Sequence, residues 1–275
     1  MEIKTLEGIP ISSIITAFNK AFSDYAVNFS FTEESFNKKL VSENIKLEAS
    51  PAAFVDGEIV GFILHGLDEI DGVKRVFNGG TGVVPEQRGK RIVQHLYEYI
   101  LPILKDRGYS HHQLEVLGTN TKAEKSYEKV GFSRAKSIAS FKGTVPGYNA
   151  EGITLKKVKS VDWDIAKTFW DIEPTWQNSN ETVLRMIDKL EIVAAYKGDD
   201  LVGYAAYDPA GGRIKQFAVK KNERKNGRTL LSYVNSAIGE VSFTNYDQSD
   251  AANVAFFKAL GLNEYFESYE MRLVF

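Results

Sequence analysis

The chain has 275 residues, 43% hydrophobic and 25% charged, with a formal net charge of −2, an ordinary globular balance. The near-neutral charge argues against nucleic acid or an anionic membrane as a partner. The absence of cysteine excludes disulfides, thiolate nucleophiles and Cys-ligated metals.

The N-terminus lacks a signal-peptide succession, and no run approaches the roughly 20 apolar residues of a membrane helix. A cytoplasmic location is therefore the expectation. Ile11, Ile14, Ile15, Phe18 and Phe22 have helical spacing over residues 10–22. A second helix is predicted from the N-cap Thr32, with Glu34 behind it, to about Leu40. Glu33 and Glu34 read as first-turn acids without a catalytic role. Ala52–Val55 and Ile59–Leu64 read as strands joined by Asp56-Gly57, a hairpin signal because both residues accept positive φ. A strand over 73–84 follows, interrupted by Gly79-Gly80. Then come a helix from Arg88 to Arg107, a strand at 113–117, a helix at 121–130 closed by Gly131, and a strand at 134–142.

Residues 143–147, Gly-Thr-Val-Pro-Gly, read as a domain linker. Beyond it the order nearly repeats. A strand at 153–158 precedes helices near 161–170 and 180–189. A hairpin at 191–208 turns at Gly198-Asp199. The strand 213–219 leads to a helix at 225–238, a strand at 241–245, a helix at 251–260 and a strand at 265–274. This order predicts an α/β chain of two tandem mixed-sheet domains, 1–146 and 147–275.

One pattern occurs in both halves. Val83-Val84-Pro85-Glu86-Gln87-Arg88-Gly89-Lys90-Arg91 is followed later by Tyr127 and Gly131-Phe132. Val219-Lys220-Lys221-Asn222-Glu223-Arg224-Lys225-Asn226-Gly227-Arg228 is followed by Phe257 and Gly261-Leu262. A turn between strand and helix exposes unpaired N–H groups at the positive end of the helix dipole. Gly89 and the cations Arg88, Lys90 and Arg91 suit a diphosphate there. A solvated basic turn fits the same residues, and repetition favours the anion site. No Walker loop or dinucleotide fingerprint is present.

The first segment, with Asn120, Ala123, Tyr127, Gly131 and Phe132, resembles the GCN5-related N-acetyltransferase (GNAT) superfamily, and the second half resembles it again. A narrower likeness, to a subgroup of bacterial acetyltransferases, rests on residues 21–26, 47–50 and the Trp163–Ser179 region. The resemblance implies two GNAT domains, the first catalytic, using acetyl-CoA to acetylate a small-molecule or peptide amine by direct attack. It implies a cofactor site of Val83, Val84, Arg88, Gly89, Lys90, Arg91, Asn120 and Ala123, and a second of Val219, Arg224, Gly227, Arg228 and Thr229. It makes Tyr127 the general acid and puts an oxyanion donor near Val83 or Val84. Asn120 also suits a helix cap, and Tyr127 a core aromatic.

Glu115 is the expected base, although a solvated strand residue reads the same way; it shares a strand face with Gln113 and Leu117. Asp24 and His65 are further candidates, and His65 equally suits the core. His111 and His112 are expected to face solvent. The chain departs from the family pattern at Arg91 and Val93, where small residues are usual, and at Thr229, Asp250, Asn253 and Phe257. Those departures sustain a second reading, a non-catalytic CoA- or acyl-CoA-binding module. Trp163, Trp170 and Trp176 around Asp171 and Glu173 fit either an aromatic, acidic wall for a cationic amine or helix packing. Sequence leaves the choice of monomer or homodimer open.

Overall fold

The computed structural model describes residues 1–24 and 30–275. Tyr25 and Ala26, part of the subgroup likeness, lie outside the described residues. In chain order the elements are β1 (Glu2–Thr5), α1 (Ile11–Ala21), α2 (Glu33–Ser42), β2 (Pro51–Val55), β3 (Glu58–Ile70), β4 (Val73–Val83), α3 (Ile92–Asp106), β5 (His111–Leu117), α4 (Thr121–Glu128) and β6 (Ser133–Gly143). Then follow β7 (Thr154–Val158), α5 (Trp163–Lys167), α6 (Asn180–Arg185), β8 (Glu191–Lys197), β9 (Asp200–Asp208), β10 (Arg213–Val219), α7 (Gly227–Ile238), β11 (Val241–Asp247), α8 (Ala251–Ala259) and β12 (Asn263–Val274).

These elements form two compact units, residues 1–135 with 269–275, and residues 136–268. The division differs from 1–146 and 147–275 in a specific way. Residues 136–146 group with the second unit, and the chain's last residues complete the first.

In the first unit the strands run β1-β2-β3-β4-β5-β12. β1 to β4 are antiparallel neighbours, and β4 and β5 are parallel. α1 and α2 cover one face, packing Ile14, Phe18 and Phe36 on Phe62 and Leu64. α2 begins where Thr32 and Ser35 exchange side-chain and backbone hydrogen bonds, so Ser35 closes the capping box. The β2–β3 turn has φ of 52° at Asp56 and 83° at Gly57, as the hairpin signal requires. On the other face α3 buries Ile92, Leu96, Ile100 and Leu104 beside Tyr127, Ile63, Leu114 and Met271. Leu96 is fully buried, and its truncation to alanine costs about 2–5 kcal/mol. Met271 reaches this core only because β12 returns to the first unit.

In the second unit the order is β6-β11-β10-β9-β8-β7. β10 and β11 are parallel, and the other neighbours are antiparallel. α7 packs Leu230, Leu231 and Val234 on one face with Phe141, Val193 and Phe257. Ala166, Phe169 and Val183 of α5, α6 and the segment between them cover Ala194 and Tyr204 on the other. Residues 145–150 are not a free linker. The N–H groups of Val145, Tyr148 and Ala150 donate to Asn235 Oδ1 (2.9 Å), Ser232 Oγ (2.8 Å) and Thr229 Oγ1 (3.0 Å), one face of α7.

Candidate active site

Ladder geometry creates the site of the first unit. β4 and β5 pair from Arg75↔His111 to Asn78↔Leu114, then part while β4 continues to Val83 and β5 to Leu117. The parting coincides with a bulge at Gly79, where the β3 ladder steps from Leu64↔Gly80 to His65↔Asn78. A methyl group on Gly79 would overlap the Glu43 carboxylate, so glycine lets that acid approach the strand. Asn78 secures the bulge. Its amide donates to Thr81 Oγ1 (2.7 Å) and the Tyr97 hydroxyl (2.8 Å), while its Oδ1 accepts from the Gly80 N–H (3.0 Å).

At the far end of β4 the Val84 N–H donates to the Val60 carbonyl (3.0 Å). Val84 is therefore removed as an oxyanion donor. Ladder alternation turns the Val83 N–H to the opposite edge, toward the gap. The turn that follows spans 85–91, and α3 starts at Ile92 rather than Arg88. Gly89 has φ of 79° and open space beside it. Arg91 is left-handed, φ 58°, ψ 24°, a conformation that glycine adopts without strain. Helix geometry leaves the first N–H groups of α3 without internal acceptors.

The guanidinium of Arg88 does not point outward as a free cation. It donates to Val83 O (3.1 Å), Ala21 O (2.8 Å) and both oxygens of Asp24 (2.5 and 2.8 Å). Hydrogen bonding from Arg88 holds Asp24 below the usual carboxylate range. Asp24 is thus a partner for the turn and a poor base. Lys90 Nζ donates to Gln87 Oε1 (2.7 Å) from an exposed position.

Beyond the gap, Asn120 caps α4 by accepting from the Ala123 N–H (3.2 Å). Tyr127 lies on that helix, 8% exposed, its ring 6.5 Å from Tyr97 and 6.0 Å from Phe132. Strand alternation sends Leu114 and Val116 to the α3–α4 core, so Gln113, Glu115 and Leu117 share the α1–α2 face. Glu115 is half-buried just past the point of parting. Sequence reading missed Glu43, 6% exposed and 2.6 Å from Lys39 Nζ. Its signal was the Gly79-Gly80 pair, which marked a strand that something approaches closely.

The histidines correct one expectation and settle another. His112 is fully buried rather than facing solvent, its ring 4.7 Å from that of His65. His65 is also fully buried, with Nδ1 2.7 Å from the Ala49 carbonyl, so Nδ1 carries the proton. Burial pushes His65 down to about 4, and burial with the neighbouring His65 pushes His112 well below its ordinary value. Both are neutral core residues and not bases.

The second unit repeats the frame. β10 and β11 pair at Arg213↔Ser242 and Ile214↔Phe243 and then part, with a bulge at Lys215 in the β9 ladder. Lys220 N–H donates to Val202 O (2.9 Å), as Val84 does to Val60. Val219, Arg224 and Asp250 line a cavity of about 320 Å3 in this gap. Arg224 is held 2.7 Å from both oxygens of Asp171. Gly227 lies in close packing, since a Cβ there would stand 2.9 Å from Phe217. Arg228 stacks over Tyr148 at 4.6 Å, and Thr229 is buried against residue 150. Asp250 caps α8, and Phe257 is fully buried, stacked on Phe243 at 4.3 Å.

Residues 15–132 match the sequence model of the acetyltransferase (GNAT) family. No curated protein matches the sequence. Solved structures share the fold of the whole chain at low identity. A tandem GNAT protein from the clavulanic acid biosynthesis pathway aligns at TM-score 0.72 and 13% identity, over 99% of this chain and 98% of its own. A GCN5-related N-acetyltransferase from Sphaerobacter thermophilus aligns at 0.71 and 15%, over 99% and 95%. A protein from Pyrococcus horikoshii described as a putative acetyltransferase aligns at 0.72 and 13%, over 100% and 89%.

Proposed function

We propose, from the match of residues 15–132 to the acetyltransferase (GNAT) family model, that the first unit transfers acetyl from acetyl-CoA to a small-molecule or peptide amine. The observation that carries this reading is the parting of β4 and β5 after Asn78 and Leu114, with Val83 at the end of β4 and with α4, which carries Asn120 and Tyr127, following β5. The fit is local and physical. The Val83 N–H faces the gap, Gly89 leaves space, and the first turn of α3 offers N–H groups to a diphosphate. Lys90 and Arg91 add positive charge there. Arg88 works from behind, pinning the turn to Asp24 and Ala21.

Bound acetyl-CoA supplies the thioester. Glu115, on the α1–α2 face, takes a proton from the acceptor amine, whose nitrogen then forms the bond to the acetyl carbon. Val83 N–H donates to the carbonyl oxygen as charge develops on it. The carbon–sulfur bond breaks, and Tyr127 hands its hydroxyl proton to the departing sulfur. Glu43 and Lys39 form a buried pair behind Gly79 that shapes the acceptor side of the gap.

The test is release of free CoA thiol from acetyl-CoA across a panel of primary amines and peptides. Turnover that falls in E115Q and Y127F with acetyl-CoA affinity retained supports the proposal. Acetyl-CoA binding with no turnover on any amine would replace it with a binding module.

A further inference from the structure

The second unit keeps the gap and changes what lines it. Its walls are aromatic, from Phe169, Trp170, Phe217, Phe243 and Phe256. Its lining cations are engaged elsewhere or exposed: Arg224 pairs with Asp171, Lys215 donates to the Gln177 carbonyl (3.1 Å), and Lys225 is exposed. Asp250 is 6% exposed and accepts at both oxygens, from the Asn253 N–H (3.1 Å), the Asn253 amide (2.6 Å) and the Tyr246 hydroxyl (2.8 Å). All three donors are neutral. Asn178, 7% exposed, spends its amide hydrogens on Thr175 Oγ1 (3.2 Å) and Thr244 O (2.7 Å). Its Oδ1 meets no donor among the described residues, and Thr244 Oγ1, 9% exposed, meets no partner there. At the mouth the bidentate Asp171 contact neutralises Arg224.

A buried carboxylate without a cation, and an amide oxygen without a donor, are both unfavourable in a low-dielectric cavity. A ligand that brings N–H donors and positive charge relieves both, and aromatic walls favour the same ligand. An anion on that wall would meet the Asp250 carboxylate and the Asn178 amide oxygen. We propose that this cavity binds a small primary ammonium compound with an apolar or aromatic body, its ammonium group donating to the wall of Asp250, Asn178 and Thr244. The site is separate from the gap of the first unit and does not rest on the activity proposed there. Trp163, Trp170 and Trp176 divide accordingly. Trp176 is core, Trp163 bonds to Ser160, and Trp170 with Asp171 lines the cavity.

The experiment uses the full chain with 15N-labelled tryptophan, whose three indole signals are assigned by substitution. Phenethylamine is titrated against its neutral analogue 2-phenylethanol. The expected result is a saturable shift of the Trp170 indole signal, with the amine binding at least about tenfold more tightly than the alcohol. D250N keeps a capping oxygen and a partner for Tyr246, and it should bring amine and alcohol to parity. If D250N does not fold, the amine–alcohol contrast in the parent decides alone. No shift at Trp170, equal affinity for the two probes, or displacement of the amine from Trp170 by acetyl-CoA would each overturn the proposal.

Discussion

The two units share a frame and differ in the gap it encloses. In both, a valine at the end of a strand faces a glycine on the neighbouring strand, Val83↔Gly61 and Val219↔Gly203. In both, the next N–H returns to the neighbouring strand, and a motif arginine forms a two-point ion pair, Arg88 with Asp24 and Arg224 with Asp171. Asp24 and Asp171 each follow the first helix of their own unit. The matched arginines are thus struts of the repeated fold, and their presence alone says little about where a cofactor sits. Chemistry is distinguished by what does not repeat. Asn120, Ala123 and Tyr127 in one unit stand against Asp250, Asn253 and Phe257 in the other.

The sharpest way to break the comparison is to cut the chain. Each unit has six strands, but the first takes its sixth from the C-terminus. Removal of residues 269–275 deletes the fully buried Met271 and the strand beside β5. The expected outcome is loss of the first unit's cooperative melting transition with the second retained. Burial of one such side chain is worth about 1.5–3 kcal/mol, and a bare β5 edge adds to the loss. A truncated chain that melts in two unchanged transitions would refute this division.

The sequence fell short on this point for a physical reason. The alternation of strand residues shows which face is buried but not which strand lies alongside, so β6 and β12 were placed in chain order. The Gly-Thr-Val-Pro-Gly segment read as a linker by composition, yet three of the N–H groups that follow it or lie within it bond to α7. Local signals did better. The Asp56-Gly57 turn, the Thr32 cap and the Asn120 cap all stand where spacing put them. Gly79-Gly80 signalled a close approach but not its partner, and Glu43 was missed because packing between α2 and β4 brings it there. His112 was misjudged because it begins a buried run on β5 whose outer cover, Phe132 and Phe275, comes from far along the chain.

Acid separates the units next. All four histidines belong to the first unit. The folded state holds His65 at about 4 against an ordinary 6.5, so the unfolded chain binds a proton that the folded unit refuses. The stability of the first unit is complete above pH 6.5 and is lost as pH falls through about 4, by about 3 kcal/mol for this group. His112 acts in the same direction. Melting curves from pH 7 to pH 4 should lower the first transition more than the second, and H65N should flatten that difference. A parallel decline of both transitions would deny the histidine pair this role.

Catalysis is tested by exchanging the aromatic pair. Y127F should lower turnover by about 100-fold while acetyl-CoA affinity holds, because only the proton to sulfur is lost. F257Y should add no turnover, since Phe257 is fully buried in the second core. Turnover that survives Y127F and falls with a lesion in the second unit would move the chemistry there.

The smallest expected effect probes the turn itself. Arg91 holds a left-handed conformation, whereas the corresponding turn of the second unit enters α7 through Asn226 and Gly227 in right-handed geometry. A side chain with β-carbon in the left-handed region costs roughly 1–2 kcal/mol, and glycine removes that strain while adding entropy to the unfolded chain. R91G should therefore leave the melting stability of the first unit within about 1 kcal/mol of the parent. Its effect on acetyl-CoA separates two roles for the arginine. If the guanidinium clamps the diphosphate, affinity falls by about tenfold and its salt dependence weakens, because an ion pair is screened and a backbone N–H contact is much less so. If the side chain crowds the turn, affinity rises in R91G and the salt dependence stays as it was. Binding isotherms at two ionic strengths distinguish the two, and the open space beside Gly89 favours the clamp.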